Sequence, residues 1–169
     1  MVSKGEQTMQ DNEPVDDSNV NKYLVFRLDS ELYGTDLLSI REIIEPQKIK
    51  SVPLTHDYFL GVINIRGEIV GIIDLRRKFH IPAEESEKSA FVIFEIPGSQ
   101  PIAALVNEVV SVLEIEPNDI DSATIESHID QRYISGVAKS KLGLINIIEL
   151  KQLIEDDEII INREKDQVA

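Results

Sequence analysis

The sequence predicts an all-β fold with short helices, built as small barrels or a sandwich and not as a parallel α/β sheet. Three observations carry this reading: apolar runs of six or seven residues, turns rich in Gly and Pro between them, and few stretches with helical apolar spacing. A chain of 169 residues forms one domain or two small intertwined ones. At that length roughly 70% of the unfolded chain's surface is buried on folding, so packing alone can hold it together.

Residues 1–20 are polar and acidic without apolar periodicity, which predicts a disordered acidic tail. Tyr23–Leu28 reads as a strand, Asp29-Ser30-Glu31 as a turn, and Leu32-Tyr33-Gly34-Thr35 as the return strand. Leu37, Leu38, Ile40, Ile43 and Ile44 recur at helical steps before Pro46 and predict a helical turn or two, with Ser39, Arg41 and Glu42 on its wetter side. Leu60–Ile65 and Ile69–Leu75 form a second hairpin around Arg66-Gly67-Glu68, because Gly67 can take the positive φ of a tight connection. The acidic loop Pro82–Ser89 leads to a third hairpin, Phe91–Ile96 with Pro101–Val106, extended by Val109–Ile115. Residues 117–132 are polar and carry no clear pattern. Tyr133–Lys139 and Leu144–Ile148 make the last strand pair, and apolar spacing over Glu149–Ile161 predicts a closing helix.

Thirty-one acidic against 17 basic side chains give a net charge of −14, which repels a phosphate backbone or an anionic membrane surface. Much of the acidity sits in the tails: residues 1–21 and 155–169 each carry −4, a placement that serves solubility. The chain has no cysteine, which excludes disulfides, thiolate metal sites and a Cys nucleophile. No apolar run approaches the roughly 18 residues of a membrane span, and the opening residues lack the apolar stretch of a signal peptide. A cytoplasmic protein without direct membrane insertion is expected.

Catalytic and cofactor patterns are missing. His56, His80 and His128 have no second His at helical spacing, so no metal site is expected, and His56-Asp57 has no nucleophile beside it and reads as a loop. No nucleophile elbow or phosphate-cradling Gly loop occurs. The runs Glu84, Glu85, Glu87 and Glu155–Glu158 lack the alternation and central Gly of a calcium loop and read as solvated charge. No cofactor is predicted, and the Leu, Ile and Val stripes are expected to form the core.

One segment is less generic: Gly61-Val62-Ile63-Asn64-Ile65-Arg66-Gly67-Glu68-Ile69-Val70-Gly71-Ile72-Ile73-Asp74-Leu75-Arg76. Polar residues at 64, 66, 74 and 76 interrupt an apolar double strand, and a polar outer face plus a turn accounts for them as well as a functional site does. This segment resembles the hallmark of the CheW family, the coupling proteins of bacterial chemotaxis, whose pattern reads approximately G-V-x-N-L-R-G-x-I-x-P-V-I-D-L-R. The resemblance continues through Tyr23-Leu24-Val25-Phe26, Leu32-Tyr33-Gly34, Ile40-Arg41-Glu42-Ile43, Phe91-Val92-Ile93 and Val109–Leu113. It covers residues 22–155 and leaves 156–169 as a helix end and acidic tail.

The resemblance implies two intertwined five-stranded, SH3-like β-barrel subdomains sharing a core, with no enzymatic activity. It implies an adaptor in the cytoplasm, at membrane-associated arrays, that binds the cytoplasmic tip of a chemoreceptor and the regulatory domain of the histidine kinase CheA. By position, Ile40, Glu42, Gly61, Arg66, Phe91 and Val112 fall where the family shapes its receptor-binding groove, with Glu42 and Arg66 expected to pair across it. Asn64, Gly67, Asp74, Leu75 and Arg76 also match the motif, and hairpin geometry or polar satisfaction in the core explains them equally well. Gly71 replaces the family's usual Pro and is expected to loosen its strand. Asn107-Glu108 replaces an Asp and a small residue, which puts partner contacts there in doubt. A CheW-like adaptor of a pilus-motility or other chemosensory pathway would share these residues. A CheV-type protein is disfavoured because no receiver domain follows residue 155, and an excised CheA regulatory domain because the coupling motif is complete. A small β-barrel ligand-binding domain or enzyme is the competitor from another class, disfavoured by the absent Trp and sparse aromatics.

Overall fold

The computed structural model describes residues 21–53, 55–122 and 132–156, so the expectations for both tails and for His128 lie outside the described residues. In chain order the elements are β1 (Asn21–Leu28), β2 (Glu31–Asp36), β3 (Ile40–Ile44), β4 (Phe59–Ile65), β5 (Glu68–Asp74), α1 (Leu75–Lys78), β6 (Ala90–Phe94), β7 (Ile102–Val106), β8 (Glu108–Ile115), β9 (Ile120–Asp121), β10 (Ile134–Ser140), β11 (Gly143–Ile148) and α2 (Leu150–Asp156). They form two sheets, one in the order β3-β6-β7-β5-β4 and one in the order β8-β1-β2-β11-β10-β9. The chain is all-β with short helices, and the two sheets correspond to the two expected SH3-like subdomains. The second sheet has six strands because the polar stretch after Ile115 supplies the two-residue β9, paired with β10 through Val137 and Ala138. The five-stranded subdomain is continuous in sequence and sits between the two parts of the other.

The unbroken apolar runs follow from burial on both faces of a strand, where side chains alternate between two cores. On β6, Val92 and Phe94 enter a core shared by the subdomains, while Phe91 and Ile93 enter the core of the five-stranded unit. On β1, Leu24, Phe26 and Leu28 face the shared core and Val25 faces the core of the six-stranded unit. The expected shared core is therefore present, and each subdomain has a private core besides.

Three local expectations are corrected. Only Leu37–Ser39 forms a helical turn, of 3-10 type, with the Asp36 carboxylate accepting from the Leu38 amide at 2.9 Å; Ile40–Ile44 is a strand against β6. Short apolar runs do not distinguish the two periods, and β-branched Ile at 40, 43 and 44 suits the pleat. Val109–Ile115 does not extend the third hairpin: β8 crosses to the other sheet and pairs with β1, placing Val112 opposite Leu24. Leu75 is not the end of a strand but the start of α1, since the Asp74 carboxylate caps that turn by accepting from the Arg76 amide at 3.0 Å. The four expected hairpin pairs form. Gly71 does not leave a gap in its strand, because its N–H, which the family's Pro would lack, donates to the Pro101 carbonyl at 3.2 Å.

Among the described residues, a single isolated bridge joins the two ends of the five-stranded sheet. The chain leaving β3 returns to β4, where Lys50 and Val62 exchange two backbone hydrogen bonds of 2.9 Å. Gly61 permits this approach: its φ is +138°, and a Cβ there would lie 2.1 Å from the Lys50 carbonyl oxygen. No helix among the described residues is long and apolar enough to cross a membrane.

Candidate partner-binding site

The β4–β5 register pairs Ile65 with Glu68 and leaves Arg66-Gly67 as a two-residue loop. Both central residues are left-handed, with φ of 51° at Arg66 and 86° at Gly67, as a type I′ hairpin turn requires. The Asn64 side-chain oxygen accepts from the Gly67 amide at 3.0 Å and fastens the loop from within. A residue with a Cβ costs on the order of 1 kcal/mol in this conformation. Asn or Gly is favoured at the first central position of such a turn, and this chain carries an arginine there instead.

That side chain reaches edge strand β3. The Arg66 guanidinium donates to the Glu42 carboxylate, and on the same strand Arg41 donates to Glu68 at 2.6 Å. Arg41 also lies 3.7 Å from Glu42, so the order Arg66, Glu42, Arg41, Glu68 alternates in sign. The hydrogen bond from Arg41 holds the Glu68 carboxyl below the ordinary glutamate range, and Glu68 raises the Arg41 guanidinium in return. Glu42 and Arg41 are each 26% exposed, whereas Arg66 is 69% exposed and keeps donors directed to solvent.

The two-sheet fold that carries this turn has counterparts among known proteins. The family model described as CheW-like domain matches residues 22–158. The chain belongs to the CheW-like family. CheW-like relatives include the chemotaxis protein CheW of Treponema pallidum, 26% identical over 80% of this chain and 83% of that protein. Those of Helicobacter pylori and Klebsiella aerogenes are 27% and 28% identical, and the matches span 84% and 83% of this chain and 86% and 85% of theirs. Among solved structures, the scaffolding protein TtCheW from Thermoanaerobacter tengcongensis superimposes with a TM-score of 0.74 at 35% identity, over 80% of this chain and 93% of that one. The CheW-like family is one of chemotaxis adaptors and scaffolds.

The CheW-like motif residues occupy three kinds of position. Glu42 and Arg66 meet, as described. Ile40 is half-buried against the shared core, and Phe91, opposite Ile44 on the neighbouring strand, is 1% exposed and can shape a surface only from beneath. Gly61 is buried under Lys50, while Val112 is 46% exposed on β8 of the other sheet, apart from the ion pairs. The six expected groove residues thus comprise one contact pair, one exposed apolar side chain and three shaping positions.

The Asp74-Leu75-Arg76 end of the motif is internal. Arg76 donates to both Asp74 carboxylate oxygens, at 3.0 and 2.9 Å, and the residues are 5% and 2% exposed. A further Arg76 nitrogen donates to the Glu84 carbonyl, which pulls the acidic loop against α1; Leu75 is fully buried in the shared core. Asn107, expected to alter partner contacts, is also buried: it donates to the same Glu84 carbonyl at 3.1 Å and accepts from the Asp29 amide at 3.0 Å. It ties the loop to the β1–β2 turn of the other subdomain. Sequence reading missed a second tie between subdomains, in which the Lys78 ammonium lies 4.2 Å above the Tyr58 ring and 5.7 Å from that of Tyr133. Tyr58 stacks with His56 at 5.0 Å, so His56 belongs to this tie.

Proposed function

We propose that this chain couples chemoreceptors to the histidine kinase CheA, acting by simultaneous binding and not by chemistry. One surface, around the Arg66-Gly67 turn, takes the cytoplasmic tip of a receptor; another takes the regulatory domain of the kinase, in the cytoplasm at membrane-associated arrays. The observation that supports this most is a left-handed arginine at the hairpin tip, paired to Glu42 yet mostly exposed. Unfavourable backbone retained at a surface turn is characteristic of a functional position. Membership of the CheW-like family supports a protein-binding role in chemotaxis.

Transient signalling contacts bury modest area and concentrate their energy in a few residues, with arginine prominent among them. The purified protein is mixed with a receptor cytoplasmic fragment and CheA, and co-sedimentation and kinase phosphorylation are measured with and without it. Receptor-dependent ternary assembly is expected, and Arg66→Ala is expected to weaken receptor binding by about tenfold or more while CheA binding persists. Failure to bind either partner, across several receptor and kinase homologues, overturns the proposal.

A further inference from the structure

We infer that Arg41 and Glu68 are positioning residues for this turn: their ion pair, aimed by a bulge in β3, fixes the shape in which Arg66 is presented to the receptor. The inference rests on the coupling reading above.

Consecutive residues on a regular strand point to opposite faces, so Arg41 and Glu42 should not both reach one target. The register between β3 and β6 shifts from Ile40 opposite Phe94 to Glu42 opposite Ile93, which leaves Arg41 as the extra residue of a β-bulge. Bulges re-aim side chains and recur next to functional sites. Here both side chains reach the tip of the β4–β5 hairpin, Glu42 to Arg66 and Arg41 to Glu68. The tip is consequently gripped on both sides of Gly67, 24 to 27 residues along the chain from its anchors.

A lone exposed ion pair contributes little to stability, and a stabilising role would not require a bulge. Position is what two grips add. With Glu42 alone, the loop could swivel about the Arg66 side chain; the second contact, on Glu68, removes that freedom. The Arg41–Glu42 approach of 3.7 Å joins the pairs, and Glu95, whose amide donates to Ser39 at 3.3 Å, is the further acid close enough to act on Arg41. The depressed Glu68 carboxyl agrees with this geometry. Neither Arg41 nor Glu68 need touch the receptor.

The test uses the full chain with Arg41→Gln, Glu68→Gln, the double variant and Arg41→Lys. Receptor-fragment affinity, CheA affinity, thermal midpoint and amide exchange at Gly67 are read for each. Each Gln variant is expected to lower receptor affinity by about fivefold, the scale of one exposed ion pair, with the double variant no worse than either single. Gly67 should exchange faster, Arg41→Lys should recover part of the loss, and CheA affinity and thermal midpoint should hold. Wild-type receptor affinity in both Gln variants, alongside a weakened Arg66→Ala, overturns the positioning role and leaves the coupling reading standing. Wild-type affinity in Arg66→Ala as well overturns both. Equal losses towards receptor and CheA with a lowered thermal midpoint mark a purely structural pair and also overturn the inference.

Discussion

Replacing Arg66 by Asn separates what the side chain does from what the turn needs. Asn is favoured at the first central position of a type I′ turn, so the change relieves about 1 kcal/mol of left-handed strain. It also removes the contact with Glu42, worth about 0 to 1 kcal/mol for a side chain that is 69% exposed. The two effects oppose each other and nearly cancel. For a chain of this size 1 kcal/mol moves the melting midpoint by about 2–4 °C, so Arg66→Asn should melt within about 3 °C of wild type. Receptor binding loses the exposed guanidinium with nothing in exchange and should fall by about tenfold or more. Calorimetry and receptor co-sedimentation on the same preparation measure both quantities. Wild-type receptor binding would falsify the argument from backbone strain, and a midpoint lowered by about 8 °C would show that Arg66 holds the fold instead.

Three further outcomes are expected. Gly61→Ala forces a Cβ to within 2.1 Å of the Lys50 carbonyl oxygen at a φ of +138°, and should cost about 3 kcal/mol or more in urea denaturation; a loss below about 1 kcal/mol would mean that the β4 edge gives way freely. Asp74→Ala strands the 5% exposed Arg76 without its carboxylate and should cost about 3–5 kcal/mol by the same measurement, whereas an unchanged midpoint would show the pair to be dispensable. The Glu68 carboxyl is depressed in the folded chain, so the stability it contributes is present above the ordinary glutamate range and disappears as pH falls through the lowered value. Its side-chain carbon resonance should titrate below that of a free glutamate and shift upward in Arg41→Gln; the same midpoint in both proteins would remove Arg41 as the cause.

The hairpins were legible because each turn had a local reason: Gly67, with Arg66 before it, could be placed from two residues and their apolar flanks. The course of β8 was not legible. Val109–Ile115 has the same apolar character whether it continues one sheet or crosses to the other, and only the register with β1 decides. Ile40–Ile44 was misread because a run of five residues supports either period. At the candidate site, the family pattern brought Glu42 and Arg66 to notice, while Arg41 and Glu68 escaped because a bulge leaves no mark in one sequence. Asn107 was noticed for the wrong reason, since its burial depends on a loop and a turn that are distant along the chain.

The placement of β3–β7 between β2 and β8 has a kinetic consequence. Strand β1 cannot pair with β8 until the intervening 80 or so residues have brought the ends together, and Leu24, Phe26 and Leu28 meet their partners only in the core shared with the inserted unit. Loop-closure entropy must therefore be met before the outer sheet gains its contacts, and contact order of this kind slows folding. Within the inserted unit the β4–β5 and β6–β7 hairpins are local and can form before that closure, whereas β1–β8 pairing must wait for it. Because the shared core is completed only at that step, the two subdomains should melt in one transition, and a substitution in that core is felt across the whole molecule.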